Sequence, residues 1–302
     1  MPHPLGLAIL CGLLSAVLFV SLLLGLPGML LVYFAQLPVL FAGLTLGLTG
    51  SGIAAVGAIV VIGFLVSMAA ALGYALLHAL PALFTVRQAL LRRTDQDGKT
   101  EWFPVGLLLT QLTVLAGAGV VLAFLLLGSE PGGLPGFIEA HLREGLTELG
   151  LLDETAAPSP DLARLAAVIP GFTASSSLLM VMINFMLAQL LAVRAGWARR
   201  PTPDFDRLEL PGWLWPGIAA AALLVLAGGI IGDLGWSLLI VLVVPYLFLG
   251  LALVHVVVRR WSRPGLALGA IYGAMILLGW PILLVLLLGF VEDWAHLRRR
   301  WL

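Results

Sequence analysis

The first 86 residues of the chain contain no Asp, Glu, Lys or Arg. Further uncharged stretches follow at residues 102–129, 165–193, 210–232, 234–258 and 264–291. A helix of about 20 apolar residues crosses the hydrocarbon core of a bilayer, and a helix satisfies its own backbone hydrogen bonds in lipid. Each stretch is therefore long enough for a membrane crossing, and the first one holds several.

The composition excludes an ordinary soluble domain. Hydrophobic residues make up 61% of the 302 residues, charged residues make up 11%, and the mean hydropathy is +1.09, whereas about a quarter of the residues of a soluble domain are charged. Sixteen basic residues balance sixteen acidic residues, so the chain lacks the basic excess that nucleic-acid binding requires. We expect the lipid bilayer to be its main partner and expect no nucleic acid.

Turn residues and charges divide the chain into nine predicted spans, with eight as the alternative. Gly25–Gly28 and Thr49–Gly52 are turn signals, and residues 51–86 are too long for one crossing at about 1.5 Å per residue, so we divide them near Ser67. The predicted spans are residues 5–24, 29–48, the two halves of 51–86, 103–128, 168–193, 213–232, 235–257 and 265–290. The predicted fold class is an all-α polytopic membrane helix bundle, organised as a single membrane domain over residues 1–302.

The arginines predict the orientation, because Arg and Lys are enriched in cytoplasmic loops. With nine spans, three basic loops fall on one side of the membrane: 87–99, 194–207 and 259–263. The N-terminus is then cytoplasmic. The basic tail Arg298–Arg300 conflicts with this orientation if residues 265–290 cross completely. Either that segment, interrupted at Gly279–Pro281, does not cross simply, or the count is wrong by one.

Residues 129–167 are predicted to form an extramembrane segment between two spans. Its apolar residues recur at helical spacing and its charges occupy the opposite face, which predicts an amphipathic helix on the bilayer surface. Ser159 and Pro160 are a helix start signal, so we expect a second short helix that leads into the next span. We expect a loop at residues 153–158.

No sequence motif of an enzyme is found, whether P-loop, paired cysteines or nucleophile elbow. We therefore predict that the chain is not an enzyme, has no catalytic residue, and binds no cofactor or metal. Any ATPase would be a separate subunit. No charged residue falls inside the predicted spans, because Asp233 is assigned to a turn at Gly232–Gly235 and Glu292 and Asp293 are assigned to a helix end.

Uncharged polar residues inside the spans are the candidates for ligand binding. The set comprises Asn184, Ser177 and Thr173 on one face of the 168–193 helix, together with Gln111, His78, Tyr74 and Gln36. An amide in lipid has to face another helix or a cavity. Each candidate is either an interhelical hydrogen-bonding residue or, if the faces converge, part of a small-molecule pocket.

Small residues spaced by four predict close helix contacts, either inside the chain or with another membrane subunit. They are Ala8, Gly12 and Ala16 on the first span and Gly265, Gly269 and Gly273 on the last. Cys11, the single cysteine, is interpreted as a small hydrophobic core residue.

Several short segments together resemble the YybS-like family of uncharacterised bacterial membrane proteins. They are Glu101–Pro104, Asn184–Gln189, Pro203–Asp206, Leu210–Trp213 and Gly289–Trp294. That family is distantly similar to the substrate-binding components of energy-coupling-factor vitamin transporters. The resemblance implies that Ala8, Gly12 and Ala16 dock a membrane scaffold or ATPase partner and that residues 129–167 form a lid.

These observations predict a small-molecule-binding or transport-related membrane component without its own ATPase. The alternative is a structural or assembly subunit of a membrane complex.

Overall fold

The structure is a computed structural model that describes residues 3–94, 98, 100–153 and 159–300. It is 80% helical, which confirms the predicted all-α membrane bundle. The helices in chain order are α1 Pro4–Val20, α2 Leu26–Val32, α3 Leu37–Leu46, α4 Leu48–Leu65, α5 Met68–Tyr74, α6 Leu80–Ala89, α7 Val105–Leu126, α8 Gly133–Glu148, α9 Pro160–Arg194, α10 Leu214–Ala227, α11 Gly229–Leu242, α12 Val244–Val258, α13 Pro264–Leu278 and α14 Pro281–Ala295.

Short elements connect these helices. A π-helical turn, Ala75–Ala79, joins α5 to α6, and 3₁₀ turns lie at Ser21–Leu24, Phe205–Arg207 and Leu297–Arg300. Two short antiparallel strands, β1 Arg92–Thr94 and β2 Thr100–Trp102, pair Arg92 with Trp102 between α6 and α7.

Within the described residues, seven helical segments are long and apolar enough to cross a membrane. They are Pro4–Leu24, Leu26–Leu46, Leu48–Leu65, Met68–Ala89, Val105–Leu126, Pro160–Arg194 and Gly229–Val258. An eighth is reached if the bent pair of α13 and α14 is one span. The structure therefore has seven candidate spans, or eight if the bent pair counts as one, and not the nine that we preferred.

The ninth span is lost because the break after α10 lies earlier than predicted. Gly228 and Gly229 adopt φ angles of 69° and 54°, a left-handed backbone that glycine adopts without steric cost. α10 therefore ends after 14 residues, and α11 continues almost directly into α12. The predicted turn at Gly232–Gly235 is wrong, and Asp233 lies half-buried inside α11, within a candidate span.

α9 also differs from the prediction. It begins at Pro160, as the Ser159–Pro160 signal indicates, but the expected short helix and the following span are one helix of 35 residues with Pro170 inside it. The amphipathic helix predicted in residues 129–167 corresponds to α8, whose location outside the bilayer stays a prediction. Residues 154–158 of the expected loop at 153–158 lie outside the described residues.

The chain divides into two compact units, which are described separately. Unit 1 comprises Met1–Leu112 and Leu179–Phe205, and unit 2 comprises Thr113–Leu178 and Asp206–Leu302. α7 and α9 each contribute one part to each unit. The single membrane domain expected for residues 1–302 stays a prediction.

The small-residue face of α1 packs inside unit 1. Ala8 and Ala16 are fully buried, and a Cβ atom at Gly12 would lie 2.6 Å from the carbonyl oxygen of Ala54 on α4. Cys11 is buried on the same helix. α4 therefore covers the face that the resemblance assigns to a docking partner.

In unit 2, α12 and α14 approach each other through two glycines. A Cβ atom at Gly250 would collide with the carbonyl oxygen of Val285, and one at Gly289 would collide with that of Tyr246. The ring of Tyr246 stacks on Phe290 with centroids 4.2 Å apart. These glycines allow the two backbones to touch, which is the usual role of small residues in membrane helix pairs.

The glycine face of α13 has no such neighbour. A Cβ atom at Gly265, Gly269 or Gly273 would meet nothing within 4 Å. These three residues therefore do not form a close contact with the described part of the chain, and their packing against a partner stays a prediction.

The bent pair of α13 and α14 begins and ends beside the same segment. The two helices are bent by 119° at Gly279 and Trp280. Arg259, before α13, forms an ion pair with Asp206, and Arg298, after α14, donates hydrogen bonds to the carbonyl oxygens of Asp206 and Leu208. Both ends of the interrupted segment thus lie beside residues 206–208, as expected if this segment does not cross simply.

We expect the Gly250→Ala substitution to destabilise the protein by about 2 kcal/mol or more, because the added methyl group overpacks a backbone contact. The matched variant Gly269→Ala adds the same methyl group to open space and gains helix propensity, so its unfolding midpoint should not fall. Thermal unfolding in detergent measures both midpoints. Equal midpoints for the two variants would contradict the α12–α14 contact.

Candidate functional site

The candidate site lies in unit 1, where a membrane span is interrupted. The segment Leu26–Leu46 is one candidate span, but residues 33–36 form turns between α2 and α3. Non-helical backbone at membrane depth is tolerated only where protein or a cavity surrounds it, because its polar groups need partners. The hydrogen bonds of residues 33–36 therefore decide what this region does.

Side chains from two helices hold the interruption, and one of its own side chains donates to the π-helical turn. Asn184 of α9 donates from its Nδ2 to the carbonyl oxygen of Tyr33 at 2.6 Å. Ser15 of α1 donates from its Oγ to the carbonyl oxygen of Ala35 at 2.5 Å. Gln36 donates from its Nε2 to the carbonyl oxygen of Leu77 in the π-helical turn, at 3.1 Å. The interrupted span is thus joined to α1, α9 and the π turn by one hydrogen-bond network.

Aromatic side chains extend this network along α5 and the π turn. The Ser15 Oγ also lies 2.5 Å from the hydroxyl of Tyr74. The Tyr74 ring stacks on His78 with centroids 5.6 Å apart, and Phe19 contacts both rings edge-on at 5.2 and 5.3 Å. π-helical turns inside α-helices are frequent at functional sites, and this one brings His78 and the Leu77 carbonyl group to the interruption.

Three polar atoms of the network have no hydrogen-bond partner within the described part of the chain. They are Gln36 Oε1, Asn184 Oδ1 and His78 Nδ1. The orientation of both amides is determined by their partners, since a backbone carbonyl oxygen accepts only from the NH₂ end. Each unsatisfied buried polar group costs about 1–3 kcal/mol. The network therefore presents two buried acceptor oxygens that require donors.

Four of the seven sequence-predicted candidates belong to this network: Gln36, Tyr74, His78 and Asn184. Gln111 does not, because its Oε1 accepts a hydrogen bond from Gln88 at the far end of α6. Thr173 is exposed and Ser177 is half-buried, although both share a helical face with Asn184. The part of α9 up to Leu178 belongs to unit 2, and the part from Leu179 belongs to unit 1. Thr173 and Ser177 therefore have different neighbours from Asn184, although they share its helical face.

A second polar cluster in unit 1 lies at the ends of α3 and α6. Arg199 donates from its Nε to the carbonyl oxygen of Thr45 at 3.0 Å, and Arg200 donates from its Nη1 to that of Ala89 at 2.8 Å. The last carbonyl groups of a helix have no partner within it, and cations are favourable there. Burial lowers the pKa of Arg200 to about 10, so its guanidinium stays charged at neutral pH.

Unit 2 contains a buried ion pair at the end of α14. Arg298 donates from its Nε to Glu292 Oε1 at 2.7 Å, and the two side chains are 8% and 3% exposed. The neighbouring Asp293 accepts a hydrogen bond from Trp215 Nε1 at 2.8 Å. Glu292 and Asp293 lie in the last turn of α14, at a helix end as expected, whereas Asp233 lies inside the candidate span Gly229–Val258 and not in a turn.

Sequence reasoning missed several buried polar residues of both units: Ser15, Gln88, Gln189, Arg200, Glu292 and Arg298. Ser15 carried a usable signal, because it follows Cys11 by four residues on the packed face of α1. Arg200 and Arg298 carried none, since an arginine in a basic loop is usually solvated.

A family model described as "Predicted membrane protein (DUF2232)" matches residues 154–292. No curated protein and no solved structure matches the chain. The matched range includes α9 to α13 and most of α14. That range, less than half of the chain, is similar to this family of predicted membrane proteins. Asn184 lies within the range, whereas Ser15, Gln36 and His78 lie outside it.

We expect Asn184→Ala to destabilise unit 1 by about 1–3 kcal/mol, because it removes the hydrogen bonds to the carbonyl oxygens of Tyr33 and Met180. Thr173→Ala on the same helix is the control, since Thr173 is exposed. Denaturant unfolding in detergent compares the two variants. If Asn184→Ala is no less stable than Thr173→Ala, Asn184 does not hold the interruption.

We expect Arg298→Met to cost about 3–5 kcal/mol, because it leaves the Glu292 carboxylate buried without its guanidinium partner. The double variant Arg298→Met with Glu292→Leu carries no buried charge and should recover part of this loss. The free energy of unfolding of each variant measures the difference. A double variant less stable than Arg298→Met would contradict the pairing.

Proposed function

We propose that the chain is a small-molecule-binding or transport-related component of the bacterial inner membrane, without its own ATPase. The polar network at residues 33–36 is its proposed binding site. The observation that carries this proposal is the group of three buried, unpartnered polar atoms on one network: Gln36 Oε1, Asn184 Oδ1 and His78 Nδ1.

Interrupted helices support this assignment. In many transporters, a discontinuous membrane helix forms the substrate site near the middle of the bilayer, where unwound backbone faces the bound molecule. Here the interruption lies between α2 and α3, about halfway along the Leu26–Leu46 span. The side chains that hold it come from α1 and α9, and a bound molecule would contact all of these elements.

The chemistry of the network selects a class of ligand. Its side chains are serine, tyrosine, asparagine, glutamine and histidine. Two amide oxygens require donors, so the bound molecule brings N–H or O–H groups. A charge without a counter-charge at membrane depth costs at least about 2.5 kcal/mol. The proposed ligand is therefore a small neutral molecule with hydrogen-bond donors.

The proposed topology places the N-terminus in the cytoplasm. Four candidate spans precede the basic loop that begins near Arg87, and basic loops face the cytoplasm. An energy source, if transport occurs, is a separate ATPase. The resemblance to energy-coupling-factor components supports a binding role, but the Ala8, Gly12 and Ala16 face is covered by α4. A scaffold partner would therefore dock on a different surface.

A structural or assembly subunit is the second candidate function. The observation that favours it is the open glycine face of α13 at Gly265, Gly269 and Gly273, because such faces pair membrane helices closely. Copurification of a stoichiometric partner that is not an ATPase would support this function over ligand binding.

The binding proposal predicts ligand-dependent stability. The purified protein is heated with neutral donor-bearing vitamins and lipid precursors, such as riboflavin, nicotinamide and glycerol, and with anionic pantothenate. A ligand at 100 times its Kd raises the unfolding free energy by about 2.7 kcal/mol. We expect a neutral compound to raise the midpoint of the wild type and of Thr173→Val, and not that of Gln36→Leu.

Two results would count against the binding site. In one, no neutral compound raises the midpoint of the wild type. In the other, the same increase persists in Gln36→Leu, which would place the bound compound elsewhere in the protein.

A further inference from the structure

Unit 1 has a basic cluster beside Trp102, which we term the basic rim. It comprises Arg92 and Arg200 at the Trp102 ring and Arg87, which precedes the Ala89 partner of Arg200 on α6. The guanidinium carbons of Arg92 and Arg200 lie 5.9 and 5.7 Å from the centroid of the Trp102 ring. Two like charges that share one aromatic ring repel each other, so this arrangement favours an anion nearby.

The charge of Arg200 has no carboxylate partner among residues 3–94, 98, 100–153 and 159–300. Its guanidinium donates to the carbonyl oxygens of Ala89 and Pro201 and contacts the Trp102 ring, and the residue is only 6% exposed. Its own carbonyl group accepts a hydrogen bond from Gln189. A buried charge without a counter-ion is costly, so Arg200 is held in place but not neutralised.

The exposed arginines of the rim lie around this buried charge. Arg92, on β1, shares the Trp102 ring with Arg200. Arg87 precedes Ala89 by two residues on α6 and donates to Gln88 Oε1 at 3.2 Å. The nearby carboxylate of Glu101 is paired with Arg93 at 3.1 Å, so Glu101 already has a basic partner outside the rim.

The rim lies where candidate spans end. α6 ends at Ala89, α7 begins at Val105, and α9 ends at Arg194. Tryptophan is enriched at the level of lipid headgroups, and Trp102 lies three residues before α7. At that level the abundant anions are phospholipid phosphates, which attract basic residues near the surface.

We propose that the basic rim binds the headgroup phosphate of an anionic phospholipid. Arg92 and Arg87 contact the phosphate, and the buried Arg200 adds positive charge behind the Trp102 ring. Arginine suits this role because its planar guanidinium donates two parallel hydrogen bonds to phosphate oxygens. The binding is independent of the polar network at residues 33–36 and of any ligand held there.

Native mass spectrometry tests this site. The purified protein in neutral detergent is titrated with dioleoylphosphatidylglycerol or dioleoylphosphatidylcholine, and bound lipids are counted. We expect tighter binding of phosphatidylglycerol to the wild type. The double variant Arg87→Gln with Arg92→Gln should lose roughly fivefold in this preference for each arginine removed. Arg143→Gln with Arg164→Gln removes the same charge from unit 2 and should keep the preference.

Three outcomes would overturn the proposal. The wild type binds the two lipids equally, or the Arg87 and Arg92 variant keeps its preference at an unchanged unfolding midpoint, or inorganic phosphate in excess displaces the bound phosphatidylglycerol. The last outcome would indicate a site for free phosphate.

Discussion

The structure depends on one constraint, which is that backbone polar groups in hydrocarbon need partners from the protein itself. Helices meet this requirement without help, and most of the described chain is helical. Where the helix is interrupted at residues 33–36, side chains of Asn184 and Ser15 donate to the free carbonyl groups. Two polar residues of the apolar spans thus serve the point where the backbone departs from the helix.

The same requirement explains why three arginines donate to backbone carbonyl groups at helix ends and irregular segments. Arg199, Arg200 and Arg298 each donate to backbone carbonyl oxygens of other segments. A guanidinium group has five donors in a fixed plane, so one side chain can satisfy several carbonyl groups that no helix satisfies. Arg298 does so while paired with Glu292, whereas Arg200 does so without a carboxylate within the described residues, and this difference makes the basic rim a candidate anion site.

Sequence alone was sufficient for the helical membrane fold, because a long uncharged stretch has few other stable states. The first four spans and the one before residue 129 lie close to their predicted bounds. The break after α10 was misplaced because Gly228–Gly229 and Gly232–Gly235 carry equally good turn signals. Packing decides between the two turn signals. Gly235 lies in α11 where this helix contacts α10 so closely that a Cβ atom would lie 2.5 Å from the Val225 nitrogen.

Convergence of the site was beyond sequence reasoning for a related reason. Spacing places Asn184 on a helical face with Ser177 and Thr173, but it does not say which helix each turn of that face meets. The interruption at residues 33–36 was not predicted, because Tyr33 to Gln36 contain no glycine and no charge. Asn184 binds the carbonyl oxygen of Tyr33 in that interruption, and Gln36 is part of it. The network could therefore not be predicted without predicting the interruption.

The incomplete hydrogen bonding of that network distinguishes two explanations of its presence. A network kept only for stability would gain from having every buried donor and acceptor paired, since each unsatisfied group costs about 1–3 kcal/mol. An apolar replacement of similar shape is often neutral or stabilising in such a case. Gln36 and Asn184 instead each use the amide nitrogen to bind a backbone carbonyl group and leave the amide oxygen unpaired within the described residues. His78 leaves its Nδ1 unpaired there. A bound molecule with donors would satisfy the two amide oxygens at once, so the cost of leaving them unpaired is recovered only when the site is occupied.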